Sequence, residues 1–182
     1  ARARGCQIFA IASGGVLSQI ATDYNLPRYI FSPDHNPSHQ PRMGLGYNLL
    51  SVISLLARCQ LIHPPDKLGE LPTFLSSRQS QLAQFDQFAH LLANRIPVLI
   101  ASEHLNGAAH AVQNMLHENS KTFAAAFDLP EADHHLMEGL SYPKARILYF
   151  ILLRSSLYNP VIVKRFTLTK EVVEKNDIEV LE

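Results

Sequence analysis

The chain has 182 residues, enough for one domain or one and a fraction, and its 47% apolar and 18% charged residues are those of a folded globular protein. Sixteen Lys plus Arg balance sixteen Asp plus Glu, so no excess positive field is present to hold a nucleic-acid backbone or an anionic membrane surface. The longest apolar run, Ala145 to Leu153 interrupted by Arg146, is about half of a bilayer span, which argues against a membrane protein.

The opening A-R-A-R-G reads as the last turn of a helix closed by Gly5, with an apolar strand from Gln7 to Ala12 directly after it. The final I-E-V-L-E reads as a buried strand, so the sequence is expected to be a fragment of a longer polypeptide. Between these ends, strands are expected near 7–12, 28–31, 97–101, 122–126, 146–153 and 178–181. Helices fit near 15–24, 42–60, 78–94, 104–118, 131–140 and 160–175. Such alternation implies parallel strands with right-handed crossovers, an α/β fold whose sheet is flanked by helices. Residues 62–77, with three prolines and a glycine, break both periods and mark the expected domain boundary, after which Ser76 or Ser77 would cap the next helix. Cys6 and Cys59 lie in apolar stretches without C-x-x-C spacing and read as core thiols of a reducing, cytoplasmic compartment.

Four places carry candidate chemistry. Ser13-Gly14-Gly15 follows the first strand and enters a helix, where backbone N–H groups favour an anion, although any turn of this type also needs glycine. The loop S-P-D-H-N-P-S-H-Q-P-R brings Arg42 to the mouth of the next helix, stiffened by Pro33, Pro37 and Pro41. It reads equally as an arginine aimed at an anion or one on a proline-rich surface connection. In the helix near 104–118 the stripe Leu105, Ala108, Ala109, Val112, Met115 and Leu116 faces a core. Glu118 falls at the border of that stripe, expected half-buried, against the negative end of the helix macrodipole. A partly desolvated carboxylate there would have the raised pKa of a general base; the plainer alternative is an exposed Glu118 paired with Lys121. His134 and His135 follow the strand T-F-A-A-A-F-D and could exchange a proton near neutrality. Neither they nor His104, His110 and His117 have a metal-ligand spacing, and no metal or other cofactor is expected.

E-N-S-K at 118–121, P-E-x-x-H ending on His134 sixteen residues after Glu118, the A-S-G-G turn and P-R-M-G-L-G-Y, taken in order, resemble the bifunctional phosphoglucose/phosphomannose isomerases of the sugar isomerase (SIS) superfamily. The resemblance implies a three-layer, flavodoxin-like doubly wound architecture. In it, residues 1–61 are the carboxyl-side remainder of a first SIS unit, 62–77 a linker, and 78–182 a second unit lacking its last helix. It implies interconversion of glucose 6-phosphate, and often mannose 6-phosphate, with fructose 6-phosphate through a cis-enediolate. That chemistry needs a base between C2 and C1, a proton donor to open the ring and a cation facing the enediolate. By position Glu118 matches the base, His134 the ring-opening histidine and Arg42 the cation, with substrate contacts at Ser13, Gly14, Gly15, Asn119 and Lys121. The family's histidine reaches the neighbouring subunit's site, which implies a homodimer with shared active sites acting on a sugar phosphate. The resemblance implies that the family's serine/threonine phosphate loop would precede the first residue of this sequence, and Gln40-Pro41-Arg42 stands where relatives commonly have Pro-Pro-Arg. A non-catalytic sugar-phosphate-binding module, or an inactive fragment, is the alternative.

Overall fold

A computed structural model describes residues 2–82, 86–142 and 144–182, and the chain divides into two compact units, Ala1–Ser77 and Arg78–Glu182. The first opens with a 3-10 turn, Arg2–Arg4, closed by Gly5 at φ +70°, as the C′ glycine predicts. Strand β1 (Ala10–Ala12), helix α1 (Gly15–Asp23) and strand β2 (Arg28–Ile30) follow, then a 3-10 turn, Pro41–Gly44, running into helix α2 (Leu45–Arg58). β1 and β2 pair in parallel, Ala10 opposite Arg28 and Ala12 opposite Ile30.

Two strands enclose little. Among the described residues of this unit only Ala10, Ala21, Asn36 and Ser51 are buried, while Tyr29, Leu49 and Leu50 are exposed. Cys6 and Cys59 are exposed for the same reason, which corrects their reading as core thiols.

The two units divide after Ser77, at the end of the expected boundary, but only residues 62–67 of that stretch are irregular. After a 3-10 turn, Leu68–Glu70, helix α3 spans Leu71–Leu82 with Pro72 in its first turn, where a missing N–H costs no intrahelical bond. Ser77 therefore lies inside a helix, its hydroxyl donating to the Phe74 carbonyl at 2.7 Å, and neither it nor Ser76 is an N-cap. Of the helix expected over 78–94, residues 83–85 lie outside the described residues; beyond them stand a short helix, α4 (Asp86–Ala89), and a 3-10 turn, His90–Leu92.

The second unit is built on strands β3 (Ile96–Ala101), β4 (Ala125–Asp128), β5 (Leu148–Leu152) and β6 (Glu179–Leu181), in spatial order β4-β3-β5-β6 and all parallel. Its helices are α5 (Asn106–Glu118), α6 (Glu131–His135) and α7 (Pro160–Lys175). Alternate residues of each central strand face opposite sides, so both faces must be covered. Val98, Ile100, Phe150 and Leu152 pack with Ala132, Phe166 and Val173 of α6 and α7, whereas Leu99, Ala101 and Ile151 pack with Ala109 and Leu116 of α5. Phe150 and Phe166 are fully buried, each contributing roughly 1.5–3 kcal/mol of apolar transfer energy. The result is three layers, α5 on one face and α6 with α7 on the other.

That winding has a consequence for function. From β3 the chain passes through α5 to β4 on one side, and from β5 it passes through α7 to β6 on the other. The winding direction therefore reverses between β3 and β5, and the loops leaving their carboxyl ends diverge around a crevice. β4 begins at Ala125 rather than at 122, because the preceding residues are drawn to the end of α5. Thr122 N–H donates to the Leu116 carbonyl at 3.0 Å, and the His117 ring lies within 3.1 Å of Ala124 N and 3.0 Å of Ala124 O.

Candidate functional site

In the first unit the carboxyl ends of both strands open into a cavity of about 440 Å³ lined by Ser13, Asn36, His39, Tyr47 and Asn48, among others. Ser13 is exposed, Gly14 caps α1 at φ +138° and Gly15 sits at φ +67°, so this turn requires its glycines. The loop carrying Arg42 is braced internally. The buried Asn36 donates to the Gln40 carbonyl at 2.9 Å and accepts from the Ser38 hydroxyl at 2.7 Å, while the Tyr47 hydroxyl accepts from His35 N–H at 2.9 Å. Tyr47 stacks on Phe31 with ring centroids 4.5 Å apart. Pro41 lines the cavity and starts the 3-10 turn, and Arg42 follows it half-buried. The strand-end turn and the proline-rich loop thus meet at one cavity. Sequence reasoning missed Asn36, His39 and Tyr47; the Asn-Pro-Ser run of the loop was the available signal for a side-chain-braced turn.

In the second unit Glu118 is the last residue of α5 and is exposed, not half-buried as its place at the border of the stripe implied. Burial within one chain therefore does not desolvate it. The helix end is closed by Lys121, at φ +53°, whose ammonium donates to the Glu118 carbonyl, and by Asn119 N–H on the Met115 carbonyl at 2.9 Å. An ammonium on the last carbonyls offsets the carboxylate's unfavourable position against the macrodipole. Lys121 thus meets Glu118 at its backbone, and the exposure of Glu118 is what the plainer alternative expected. His134 lies in α6 and is exposed; its neighbour His135 turns Nδ1 to the Glu131 carbonyl at 2.9 Å and presents its ring to the edge of Phe127.

The two candidate acid–base groups stand at opposite ends of β4. The end of α5 is tied to Ala124, just before that strand, whereas α6 begins just after Leu129, whose N–H reaches the Ala101 carbonyl at 2.9 Å. Five residues of extended chain separate those points, roughly 16 Å. One chain therefore does not bring Glu118 and His134 together.

A third group of polar residues gathers where β3 and β5 end, and sequence reasoning did not find it. Ser102, buried, donates its N–H to the Tyr158 hydroxyl at 3.2 Å and its hydroxyl to the Leu129 carbonyl at 2.7 Å. Tyr158 donates in turn to the Leu153 carbonyl at 2.8 Å, and burial raises its pKa, with the Ser102 N–H pulling it down less strongly. His104 Nε2 lies 3.1 Å from Ser155 Oγ, and the Glu103 carboxylate, on a residue at φ +44°, accepts from Asn159 N–H at 3.2 Å. The polar run A-S-E-H directly after a wholly apolar strand was its one signal. Among the described residues no three His, Cys, Asp or Glu side chains are placed to hold a metal ion, and no helix is long and apolar enough to cross a membrane.

A doubly wound parallel sheet with helices on both faces and polar groups at its strand ends defines an SIS-type α/β domain. The fold is shared with the crystal structure of a protein described as a candidate phosphosugar isomerase from Clostridium difficile 630, at TM-score 0.60 and 13% identity, over 93% of this chain and 50% of that one. A bifunctional phosphoglucose/phosphomannose isomerase of Aquifex aeolicus (strain VF5) is 29% identical over 181 residues, covering 94% of this chain and 51% of the relative. The chain thus spans about half the length of the curated relative it matches. Residues 83–182 match the model of the bacterial phospho-glucose isomerase C-terminal SIS domain, and the chain belongs to that family.

Proposed function

We propose that the native protein carrying this chain is a cytoplasmic, homodimeric phosphosugar isomerase interconverting glucose 6-phosphate or mannose 6-phosphate with fructose 6-phosphate. In this reading residues 1–61 are the carboxyl-side part of a first SIS unit and 78–182 most of a second. Glu118 takes the proton from C2 of the open-chain aldose and returns it to C1, through a cis-enediolate whose charge Arg42 meets. His134 delivers and recovers the proton that opens and recloses the ring. Ser13, Gly14, Gly15, Asn119 and Lys121 bind the substrate, and no metal or other cofactor takes part.

The observation that carries the proposal is the match of residues 83–182 to the bacterial phospho-glucose isomerase C-terminal SIS domain, and the separation of Glu118 from His134 at opposite ends of β4 sets the condition that the reading must meet. A base and an acid serving one hexose must each come within about 3 Å of its reacting atoms. A separation of roughly 16 Å along one strand excludes that within a single chain. Two copies, one giving Glu118 and the other His134, remove the difficulty, and both residues are exposed for such an encounter. Glu118→Gln in the native protein is expected to cut turnover by several orders of magnitude in a coupled assay with fructose 6-phosphate, while sugar-phosphate binding survives. Unchanged turnover removes Glu118 from the mechanism. A wild-type protein without turnover but stabilised saturably against heat by fructose 6-phosphate is a binding module instead.

A further inference from the structure

We propose that the second unit has a ligand site of its own, at the carboxyl end of β5 beside the crevice that this strand forms with β3, and that it takes a small phosphate monoester. That crevice is where the winding of the sheet reverses, next to which open α/β sheets bind ligands at their strand ends. Beside it, between the loop that follows β5 and α7, lies a cavity of about 220 Å³ lined by Arg154, Ser155, Ser156, Tyr158, Val163 and Phe166. This is a different place from the first unit's cavity and from Glu118 and His134, so the inference goes beyond the isomerase reading and does not depend on it.

The chemistry of the ligand follows from which donors remain available. An arginine has five N–H donors. Arg154 uses one on Glu182 at 2.8 Å and one on Thr167 at 3.3 Å, so among the described residues three of the five remain. Ser155 Oγ accepts from Leu157 N–H at 3.1 Å and meets His104 Nε2 at 3.1 Å. When that nitrogen carries its proton, both acceptor positions of the hydroxyl are occupied, and its own hydrogen is left to donate into the cavity. An anion selects that state. Ser156, exposed, adds a second hydroxyl.

Arg154 pairs with Glu182, which Lys170 also meets while reaching Glu174 at 3.9 Å, so the guanidinium shares its carboxylate and keeps donors for a further anion. Donors from three separate side chains suit the several oxygens of a phosphate better than the planar pair of a carboxylate, for which one arginine fork suffices. Val163, Phe166 and the Tyr158 ring, stacked on Phe166 at 5.3 Å, give the cavity an apolar wall for the organic part of an ester. Tyr158 also joins the two loops, through Ser102 N–H and the Leu153 carbonyl, so the cavity floor is fixed before a ligand arrives.

The test is a titration of the full chain with glycerol phosphate, inorganic phosphate and glycerate, followed by backbone amide NMR. Saturable shifts are expected with glycerol phosphate at residues 102–105 and 153–159, with weaker binding of inorganic phosphate and none of glycerate. A Ser155→Ala/Ser156→Ala double variant is expected to bind glycerol phosphate about tenfold or more weakly, with resonance changes in the free protein confined to the partners of Ser155, residues 104 and 157, and their neighbours. Arg42→Gln is expected to leave these shifts unchanged. No saturable shift at these residues, an equal affinity in the double variant, or a response to glycerate matching that to glycerol phosphate overturns the proposal. Binding lost in Arg42→Gln but kept in the double variant places the anion in the first unit, overturning this site while leaving the isomerase reading standing.

Discussion

Replacing Tyr158 by Phe isolates the hydroxyl that joins the two central loops of the second unit. The ring, 4% exposed and stacked on Phe166, is retained, so almost no apolar contact changes. What is lost is the acceptor for Ser102 N–H and the donor to the Leu153 carbonyl. Each such bond is worth a net ~1 kcal/mol, and Ser102, 1% exposed, leaves its N–H buried without a partner, at a further ~1–3 kcal/mol. The expected loss of stability is therefore about 3–5 kcal/mol. In urea unfolding followed by far-UV circular dichroism it appears as a lower midpoint with an unchanged slope. The same hydroxyl also gives a pH signature. Burial raises the folded-state pKa of Tyr158 above the unfolded value near 10, so its contribution is complete below about pH 10 and is lost as pH rises through the folded value. Tyr149 is raised too but is present in both proteins, so the difference between them reports Tyr158 alone. The gap in stability is expected to narrow in strong base. A loss below about 0.5 kcal/mol, or a gap independent of alkaline pH, refutes the role assigned to this hydroxyl.

Two further outcomes are expected. Asn159→Ala removes the cap of α7, whose side-chain oxygen accepts from Val161 N–H at 2.9 Å, and should cost about 1 kcal/mol in the same urea assay; no change shows that Pro160 alone starts the helix. On the acid side, the hydrogen bond from Arg95 lowers the pKa of Glu179. Glu182 is pushed up by burial, but hydrogen bonds from Lys170 and Arg154 outweigh that and hold it lower. Both carboxylates stabilise the fold above the ordinary glutamate value near 4.3, and that stability is lost as pH falls through their lower folded values. The urea midpoint should therefore fall between about pH 5 and 3, less steeply in Arg95→Gln, and a midpoint independent of acid contradicts the pairing.

The second unit was the more legible in sequence, for a physical reason. Its central strands are buried on both faces and read as unbroken apolar runs, so β3 and β5 fall within two residues of expectation, and α7 spans 160–175 as expected. The expectations failed where a tertiary contact overrode the local signal. Residues 122–124 read as strand but are bound to the end of α5, and the helix read over 131–140 tightens after His135 into the 3-10 turn Met137–Ser141. Pro72 looked like a breaker because pattern alone does not distinguish a first-turn proline from an interior one. Glu118 and His134 were recognisable as candidate groups from their order along the chain. Their placement at opposite ends of β4 was not, because it depends on the direction of α5 relative to the sheet. The Ser102–Tyr158 and His104–Ser155 pairs join residues more than fifty apart in sequence, and only the order of strands brings them together.

Sharing of one active site between two copies is tested most directly by mixing inactive variants. Glu118→Gln and His134→Asn, each inactive alone, are unfolded together and refolded at equal concentration before assay with fructose 6-phosphate. In a mixed dimer one of the two sites then has both an intact Glu118 and an intact His134, and half of the dimers are mixed, so about a quarter of wild-type activity should return. A mixture as inactive as its components contradicts the shared site.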